Sequence, residues 1–194
     1  LDAYADTLDA LARGRSPLGG IRTGTAPGGR TVVHTSPLRF SDRILLSGYT
    51  TEVWLQPGIT SHEARDAAGL GSRHPLRSTG VGLVLGAGNV TSIPFLDVLY
   101  ELLAEGRVAL LKVNPTQDAL VPVFERAFAP LIEAGFTAVA SGGGDVGAYL
   151  TRHPEVDHVH ITGSETPFRA IVGSGEDRLR VPITAELGGV SPII

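Results

Sequence analysis

The sequence predicts an α/β protein, a doubly wound parallel sheet preceded by an N-terminal helix and a small antiparallel ribbon. From residue 81 onward, short apolar runs alternate with amphipathic segments of helical period. Residues 31–56 are instead rich in β-branched and aromatic side chains. Glycine-containing loops follow several of the apolar runs. We therefore expect two regions, residues 1–80 and residues 81–194, with the parallel sheet in the second.

The composition is that of an ordinary globular protein. Of 194 residues, 42% are hydrophobic and 19% are charged, and the formal net charge is −4. These values exclude a disordered or collagen-like chain. An apolar run of roughly 20 residues and a basic leader are both missing, so we expect a cytoplasmic protein with no membrane partner. Because the arginines are dispersed, we expect no nucleic-acid partner.

The chain contains neither cysteine nor methionine. Without cysteine it can form no disulfide, thiolate metal site or thiol nucleophile. Without methionine it lacks an initiator residue, and it stops on the apolar run S-P-I-I at 191–194. We therefore expect these residues to be part of a longer protein, with the second domain truncated and any thiol chemistry outside the chain.

The first region predicts two helices and the ribbon. Apolar residues at helical spacing from Leu1 to Leu11 predict an opening helix, which ends in breakers at residues 14–20. Residues 31–56 predict the ribbon, with a turn at residues 47–49. Thr60 and Glu63 form a capping box for a short helix that extends to about residue 68.

The second region alternates strands and helices to its end. The predicted strands are residues 81–85, 108–113, 137–140, 158–162 and 182–187. The predicted helices include residues 96–103, 124–131, 145–152 and 165–172. Such alternation implies right-handed crossovers and a Rossmann-like parallel sheet with helices on both faces. Ligands bind such sheets at the carboxyl ends of the strands, so residues just after each strand are the candidates for function.

Two candidates follow the first two strands of this sheet. Asn89 lies in the loop at residues 86–94, where its amide could donate a hydrogen bond to an oxygen that gains negative charge during a reaction. A plain turn residue is the alternative. Lys112 is the single lysine among 16 basic residues. A compact ammonium at a strand end suits ribose hydroxyls or phosphate, and drift at a strand end is the alternative.

The next two loops each open a helix. Residues 142–147 fit the pattern G-x-G-x-x-G, so Gly144 and Gly147 could bring backbone amides to a phosphate. Asp145 disfavours an anion there, and a tight turn has the same pattern. Gly163 and Ser164 precede the following helix, where Ser164 suits a phosphate oxygen or, more simply, a helix cap.

The last predicted strand ends in E-L-G-G at residues 186–189. Glu186 could act as a general base, whereas most glutamates are simply exposed. His158 and His160 lie on one face of a strand, with His153 nearby. A metal site would need a third ligand in range, so we expect ordinary strand and turn histidines and no metal.

Together, and in this order, these loops resemble the cofactor domain of the aldehyde dehydrogenase superfamily. T-G-S at 162–164 is similar to the family's F-T-G-S, and H-P-E-V-D at 153–157 to its H-P-x-V-D. P-I-T-A-E-L-G-G-V-S-P at 182–192 resembles P-V-T-L-E-L-G-G-K-S-P, the most specific match. G-N-V at 88–90 followed by Pro94 resembles W-N-F-P without its Trp. The resemblance extends from about residue 81 to the last residue.

The resemblance implies NAD(P)-dependent oxidation of an aldehyde to a carboxylic acid. Asn89 would then be the oxyanion donor and Glu186 the base that activates water. Lys112 would contact the adenosine ribose, and Ser164 the pyrophosphate. The residues expected at the cofactor, NAD or NADP, are Lys112, Gly144, Gly147, Gly163, Ser164 and Leu187. The family's nucleophilic cysteine follows the E-L-G-G element and would fall beyond Ile194, so we expect this segment alone to be inactive.

Departures from the family pattern leave alternatives open. The family's K-P-S-E reads K-V-N-P at 112–115, and Pro167 and Phe168 replace a small pair after Ser164. The preference between NAD and NADP therefore stays open. The alternative functions are a CoA-linked acyl reductase of the same superfamily and a nucleotide-binding module without catalysis. We also expect a homo-oligomer, because the ribbon could add an edge strand to a partner subunit.

Overall fold

The computed structural model describes residues 2–18, 20–68, 80–175 and 178–188. The chain divides into two compact units, Leu1–Arg73 and His74–Ile194. The domain border that the sequence predicts after residue 80 stays a prediction. No helix in the described part of the chain has the length and apolar character needed to cross a membrane.

The first unit combines a three-stranded antiparallel sheet with three helices. Its elements are α1 (Asp2–Ala12), β1 (Thr23–Ala26), β2 (Arg30–Ser36), α2 (Phe40–Leu45), β3 (Thr51–Trp54) and α3 (Ser61–Ala67). The strand order is β1-β2-β3, and both pairings are antiparallel. The predicted ribbon is therefore confirmed as β2 and β3, but the sequence analysis missed β1 and α2.

Both missed elements have weak sequence signals. The strand β1 reads T-G-T-A and pairs through Gly24, so it offers no run of large apolar side chains. The six-residue helix α2 has no buried residue, and its apolar side chains resemble part of the ribbon. The predicted turn at residues 47–49 lies after α2, where Tyr49 N donates to Leu46 O at 2.9 Å.

Carboxylates close the N-termini of α2 and α3. The predicted capping box of α3 is confirmed: Thr60 Oγ1 accepts from Glu63 N at 3.2 Å, and Glu63 Oε2 accepts from Thr60 N at 2.8 Å. Before α2, Asp42 Oδ2 accepts from Leu38 N at 3.0 Å and from Arg39 N at 2.9 Å. These backbone hydrogen bonds lower the pKa of Glu63 and of Asp42 below their usual values of 4.5 and 3.8.

The second unit is the predicted doubly wound domain. Its elements are β4 (Val81–Leu85), α4 (Ser92–Leu103), β5 (Val108–Lys112), α5 (Val121–Glu133), β6 (Thr137–Ala140), α6 (Gly144–Thr151), β7 (His158–Gly163), α7 (Glu165–Val172) and β8 (Ile183–Leu187). All pairings are parallel, and the strand order is β6-β5-β4-β7-β8. The order reverses direction between β4 and β7, so the topological switch point lies there.

Each face of this sheet buries its own apolar cluster. Val84, Leu111 and Phe128 belong to the cluster on the side of α4 and α5. Leu83 and Ile161 belong to the cluster on the side of α6 and α7. Since β4 is covered on both faces, four of its five residues are buried, which explains why it reads as a continuous apolar run.

Candidate functional site

The parallel sheet gathers the predicted site residues at one edge. Lys112 ends β5, Gly163 ends β7 and Leu187 ends β8. Asn89 follows β4, and Gly144 opens α6 directly after β6. Because the strands are all parallel, their carboxyl ends share an edge.

A cavity of about 450 Å³ opens at this edge, a size in the range of small-molecule sites. Leu85 and Ile161, from the two strands at the switch point, line it together with residues of α6 and α7. Five of the predicted cofactor residues line this cavity: Lys112, Gly144, Gly147, Gly163 and Ser164. Asn89, Glu186 and Leu187 do not line it.

Two helix N-termini at the cavity carry no side-chain cap. Gly143, the N-cap of α6, has no side chain that could cap the helix. The side chain of Ser164, the N-cap of α7, makes no capping hydrogen bond. Ser164 therefore occupies the predicted N-cap position but makes no capping hydrogen bond there. Both residues line the cavity, so first-turn amides and the Ser164 hydroxyl are available to a ligand there. In α7 these amides are those of Glu165 and Thr166, because Pro167 has no N–H.

Glycine is needed for different reasons at different positions of the loop at residues 142–147. Gly142 has a φ of 132°, and a Cβ there would lie 2.5 Å from Val146 Cγ2, so the turn itself requires glycine. At Gly144 and Gly147 a Cβ would meet nothing within 4 Å. Since both line the cavity, side chains at these two positions would occupy ligand space.

Lys112 is 6% exposed although it lines the cavity. Burial lowers the pKa of its ammonium below the usual value, and the negative charges of Asp118 and Asp145 act in the opposite direction. Asp145, which at first sight disfavours an anion, is thus also a charge partner of the one lysine. A buried ammonium at a strand end is a donor for hydroxyl or phosphate oxygens.

The loop that carries Asn89 packs closely against the residues after β5. Thr116 Oγ1 donates to Gly88 O at 2.9 Å, and a Cβ at Gly88 would lie 2.9 Å from Asn114 Cγ. Asn89 is exposed and is not the N-cap of α4, since that residue is Thr91. Asn89 therefore lies in a loop that packs against the residues after β5, and it is not the cap of α4.

Glu186 and Leu187 lie on β8, beside β7. Glu186 is opposite Thr162 and Leu187 is opposite Gly163 in the register. Both side chains are exposed. A carboxylate on an exposed strand end has water beside it, as a general base for hydrolysis requires.

His158 and His160 face two acids of α4 that the sequence analysis did not single out. His158 Nδ1 lies 3.1 Å from Glu101 Oε1, and His160 Nε2 lies 3.6 Å from Asp97 Oδ2. His153 instead contacts the ring of Tyr149 edge-on. No group of three or more His, Asp or Glu residues in the described ranges is arranged to hold a metal ion. The signal for this cluster was the i, i+4 spacing of two acids in an otherwise apolar helix.

Comparison with known proteins decides the family. Residues 56–194 match the model of the aldehyde dehydrogenase family. The chain belongs to this family. A curated member, the (Z)-2-((N-methylformamido)methylene)-5-hydroxybutyrolactone dehydrogenase of Acinetobacter baylyi, is 38% identical over 98 residues, which are 47% of this chain and 19% of that protein.

Solved structures of aldehyde dehydrogenases share the fold. The succinic semialdehyde dehydrogenase of Streptococcus pyogenes, solved with NADP+, has a TM-score of 0.50 at 18% identity over 97% of this chain. A Burkholderia cenocepacia protein assigned to the aldehyde dehydrogenases has a TM-score of 0.50 at 22% identity over 96% of this chain. The chain spans 31% of the length of each of these two structures.

Proposed function

We propose that this chain forms the cofactor-binding part of an enzyme that oxidises an aldehyde to a carboxylic acid with NAD or NADP. The observation that carries the proposal is the cavity at the switch point, onto which two uncapped helix N-termini open. Membership of the aldehyde dehydrogenase family supports the reaction class. A bound nicotinamide dinucleotide supplies the hydride acceptor.

The residues of the cavity fit such a dinucleotide. The backbone at Gly144 and Gly147 is open enough for a phosphate to approach it. Ser164 presents a hydroxyl that its own helix does not use. Lys112 presents a buried ammonium for ribose hydroxyls, and Gly163 lines the same cavity. Leu187, at the end of the neighbouring strand, completes the proposed cofactor contacts.

Asn89 and Glu186 carry the proposed chemistry of this chain. The Asn89 amide donates a hydrogen bond to the aldehyde oxygen as that oxygen becomes negative, which lowers the barrier to attack on the carbonyl. Glu186 accepts a proton from water, so that hydroxide character develops on the attacking oxygen. The nucleophile is a cysteine of the full-length enzyme outside these 194 residues, because the chain contains none.

The first experiment is calorimetric titration of this chain with NAD and with NADP. We expect one binding site and an affinity about tenfold weaker in Lys112→Met, because that change removes a charged donor of the same length. Failure of both dinucleotides to bind at millimolar concentration would contradict the proposal. Without the cysteine, we expect the chain alone to reduce no cofactor in the presence of an aldehyde.

The second experiment uses Asn89→Ala in the full-length enzyme. We expect kcat to fall about 100-fold to 1,000-fold, the usual loss for one oxyanion donor. A change below about threefold would make Asn89 a turn residue only. Release of an acyl-CoA instead of a free acid in the same assay would replace hydrolysis by the CoA-linked reductase. Cofactor binding without any turnover of the full-length protein would identify a binding module.

A further inference from the structure

A line of polar side chains crosses the sheet face that α4 covers. On β4 and β5 this face carries apolar side chains such as Val84 and Leu111, as expected for a sheet with helices on both faces. The polar line consists of Asp97 and Glu101 from α4, His158, His160 and Thr162 from β7, and Thr184 from β8. The function proposed above gives none of them a role.

One end of this polar line is buried. Arg107 Nη1 donates to Glu101 Oε2 at 2.8 Å, and Oε1 of the same carboxylate lies 3.1 Å from His158 Nδ1. Glu101 is 1% exposed and His158 is 5% exposed. The alignment of the second contact falls short of a hydrogen bond, so this pair acts through charge. His158 Nδ1 must carry a proton here, because a nitrogen lone pair would be repelled by the carboxylate oxygen.

The other end of the line fixes a second proton. Thr162 Oγ1 donates to Asp97 Oδ2 at 3.1 Å and lies 3.3 Å from His160 Nε2. Because the hydroxyl proton points at the carboxylate, Thr162 presents a lone pair to the imidazole. His160 Nε2 must therefore carry a proton as well.

Thr184 joins the two imidazoles in the middle of the line. Its Oγ1 lies 2.8 Å from His160 Nδ1 and 3.4 Å from His158 Nε2. A hydroxyl has one proton and can donate to only one of these nitrogens, so the other nitrogen must donate to the hydroxyl. One imidazole is then doubly protonated and the other is neutral. Both arrangements satisfy every contact of the line, and they differ only in which histidine carries the charge.

The charges around the two histidines favour this additional proton. Asp97 and Glu101 on α4 and Glu186 on β8 are acids, and Arg107 is the base next to them. Burial disfavours a charged imidazole, but the hydrogen bond and charge of Asp97, with the charges of Glu101 and Glu186, raise the pKa of His160 above its usual value. Glu186 lies two residues after Thr184, on the same face of β8.

We propose that His158 and His160 share one proton through Thr184 and that this charge is the electrostatic partner of Glu186. In the transfer, the N–H bond at His160 Nδ1 breaks as Thr184 Oγ1 takes that proton, while the original hydroxyl proton bonds to His158 Nε2. The number of protons and the total charge are unchanged. When Glu186 is negative, it attracts the positive charge to His160. When Glu186 has taken a proton from water, the positive charge moves to His158, next to Glu101.

His160 is thus a positioning residue for the base. The sharing of the proton stands on the contacts of this chain alone, whereas its effect on catalysis rests on the function proposed above. The two parts therefore need separate measurements.

The sharing is tested by nitrogen-15 NMR of the imidazoles in this chain as a function of pH. At about pH 7 we expect His160 Nε2 and His158 Nδ1 each to carry a proton. We expect His160 Nδ1 and His158 Nε2 to share one proton between them. The signals of these two nitrogens should change together. Thr184→Val should uncouple them, while Thr184→Ser, which keeps the hydroxyl, should restore the coupling.

Thr166→Val is the matched control, since Thr166 is exposed on α7 and outside the polar line. His62, which is exposed and pairs with Asp66, is the internal reference in the same spectra. Independent titration of His158 and His160 in the wild-type chain would overturn the proposal. An unprotonated His160 Nε2 near neutral pH would overturn it equally.

The effect on Glu186 is tested in the full-length enzyme by the pH dependence of kcat. We expect Thr184→Val to displace the acid limb of this profile, since it breaks the link through which the histidines share their charge. Thr184→Ser should leave the limb in place. A uniform loss of activity at all pH values would reduce Thr184 to a packing role and contradict the partnership. Full activity of Glu186→Gln would instead contradict the proposed function, whatever the NMR shows.

Discussion

The two units treat the N-termini of their helices in opposite ways. In the first unit, Asp42 closes α2 and Glu63 closes α3 by accepting backbone N–H groups. In the second unit, α4, α6 and α7 begin without a side-chain capping hydrogen bond. In the first unit, the amides of the N-cap residues of α2 and α3 are thus bound by carboxylates, and Glu63 N is bound by Thr60. No side chain accepts in this way at α6 and α7.

The difference teaches where a ligand is to be sought. A closed N-terminus stabilises its own helix and has little left to bind with. An open N-terminus forgoes that stabilisation, and when it faces a cavity it can bind an anion. The N-termini of α6 and α7 meet both conditions. At the same cavity, the 3₁₀ turn Pro115–Leu120 is closed by Asn114, whose side chain accepts from Thr116 N.

The largest effect is expected from a side chain that fills the cavity near the open N-terminus of α6. A Cβ at Gly147 meets nothing within 4 Å, so the side chain of Gly147→Leu enters the cavity without disturbing the core. We expect dinucleotide affinity to fall about 100-fold in a calorimetric titration, with no loss of thermal stability because leucine suits a helix better than glycine. Gly20→Leu, at an equally open position of the first unit, is the control. Unchanged affinity would remove the loop from the site.

The next effect concerns the closed turn at the cavity. Pro115 lines the cavity but offers no carboxylate to accept from a ribose 2′-hydroxyl or to repel a 2′-phosphate. We expect wild type to bind NADP at least as well as NAD, and Pro115→Glu to shift the ratio of the two dissociation constants about tenfold toward NAD. Pro122→Glu, in the first turn of α5, should leave the ratio unchanged. A wild-type preference for NAD of about 100-fold, roughly 2.7 kcal/mol, would show that another group reads the ribose.

A smaller effect is expected at the uncapped serine. Ser164→Ala removes a hydroxyl that its own helix does not use, so the melting temperature should stay constant. Dinucleotide affinity should weaken about tenfold, the order of one hydrogen bond to a charged group. A lower melting temperature with unchanged affinity would return Ser164 to a capping role and break the comparison.

The smallest effect belongs to the closed caps. We expect Thr60→Ala to lower the free energy of unfolding of the first unit by about 1 kcal/mol and to leave dinucleotide binding unchanged. The caps also respond to acid. Since the pKa values of Glu63 and Asp42 are lowered in the folded chain, their contribution is complete above the usual 4.5 and 3.8 and is lost as the pH falls through the lower folded values. Amide exchange over this range should quicken at α2 and α3 first, and equal quickening of α6 would contradict the comparison.

The sequence predicts most of the second unit because its inner strands, β4, β5 and β7, are largely buried and its elements alternate regularly. Runs such as residues 81–85 and 137–140 are apolar and bounded by loops, and β4 and β6 have these bounds. In the first unit, the polar strand β1 and the exposed helix α2 lack such a pattern and were missed. The periodicity of apolar residues reflects which side chains are buried, so it gives only a weak signal for an element that buries few of them.

In the candidate site, too, some features could be predicted from local sequence and others could not. Strand ends and glycine loops can be read locally, and five of the predicted cofactor residues do line one cavity. The pairing of Asp97 with His160 joins residues more than sixty positions apart, which no local spacing shows. Whether a residue before a helix caps it depends on what stands three positions later. Glu63 completes a capping box with Thr60, whereas Pro167 has no N–H to donate to Ser164.

The absence of a side chain at Gly82 is what makes room for the buried end of the polar line. A Cβ there would lie 2.4 Å from Glu101 Oε2, and that carboxylate is buried and bound by Arg107. The Glu101 carboxylate therefore occupies the space that a side chain at 82 would need. Any side chain at 82 would push the Glu101 carboxylate away from Arg107 or force the strand and the helix apart.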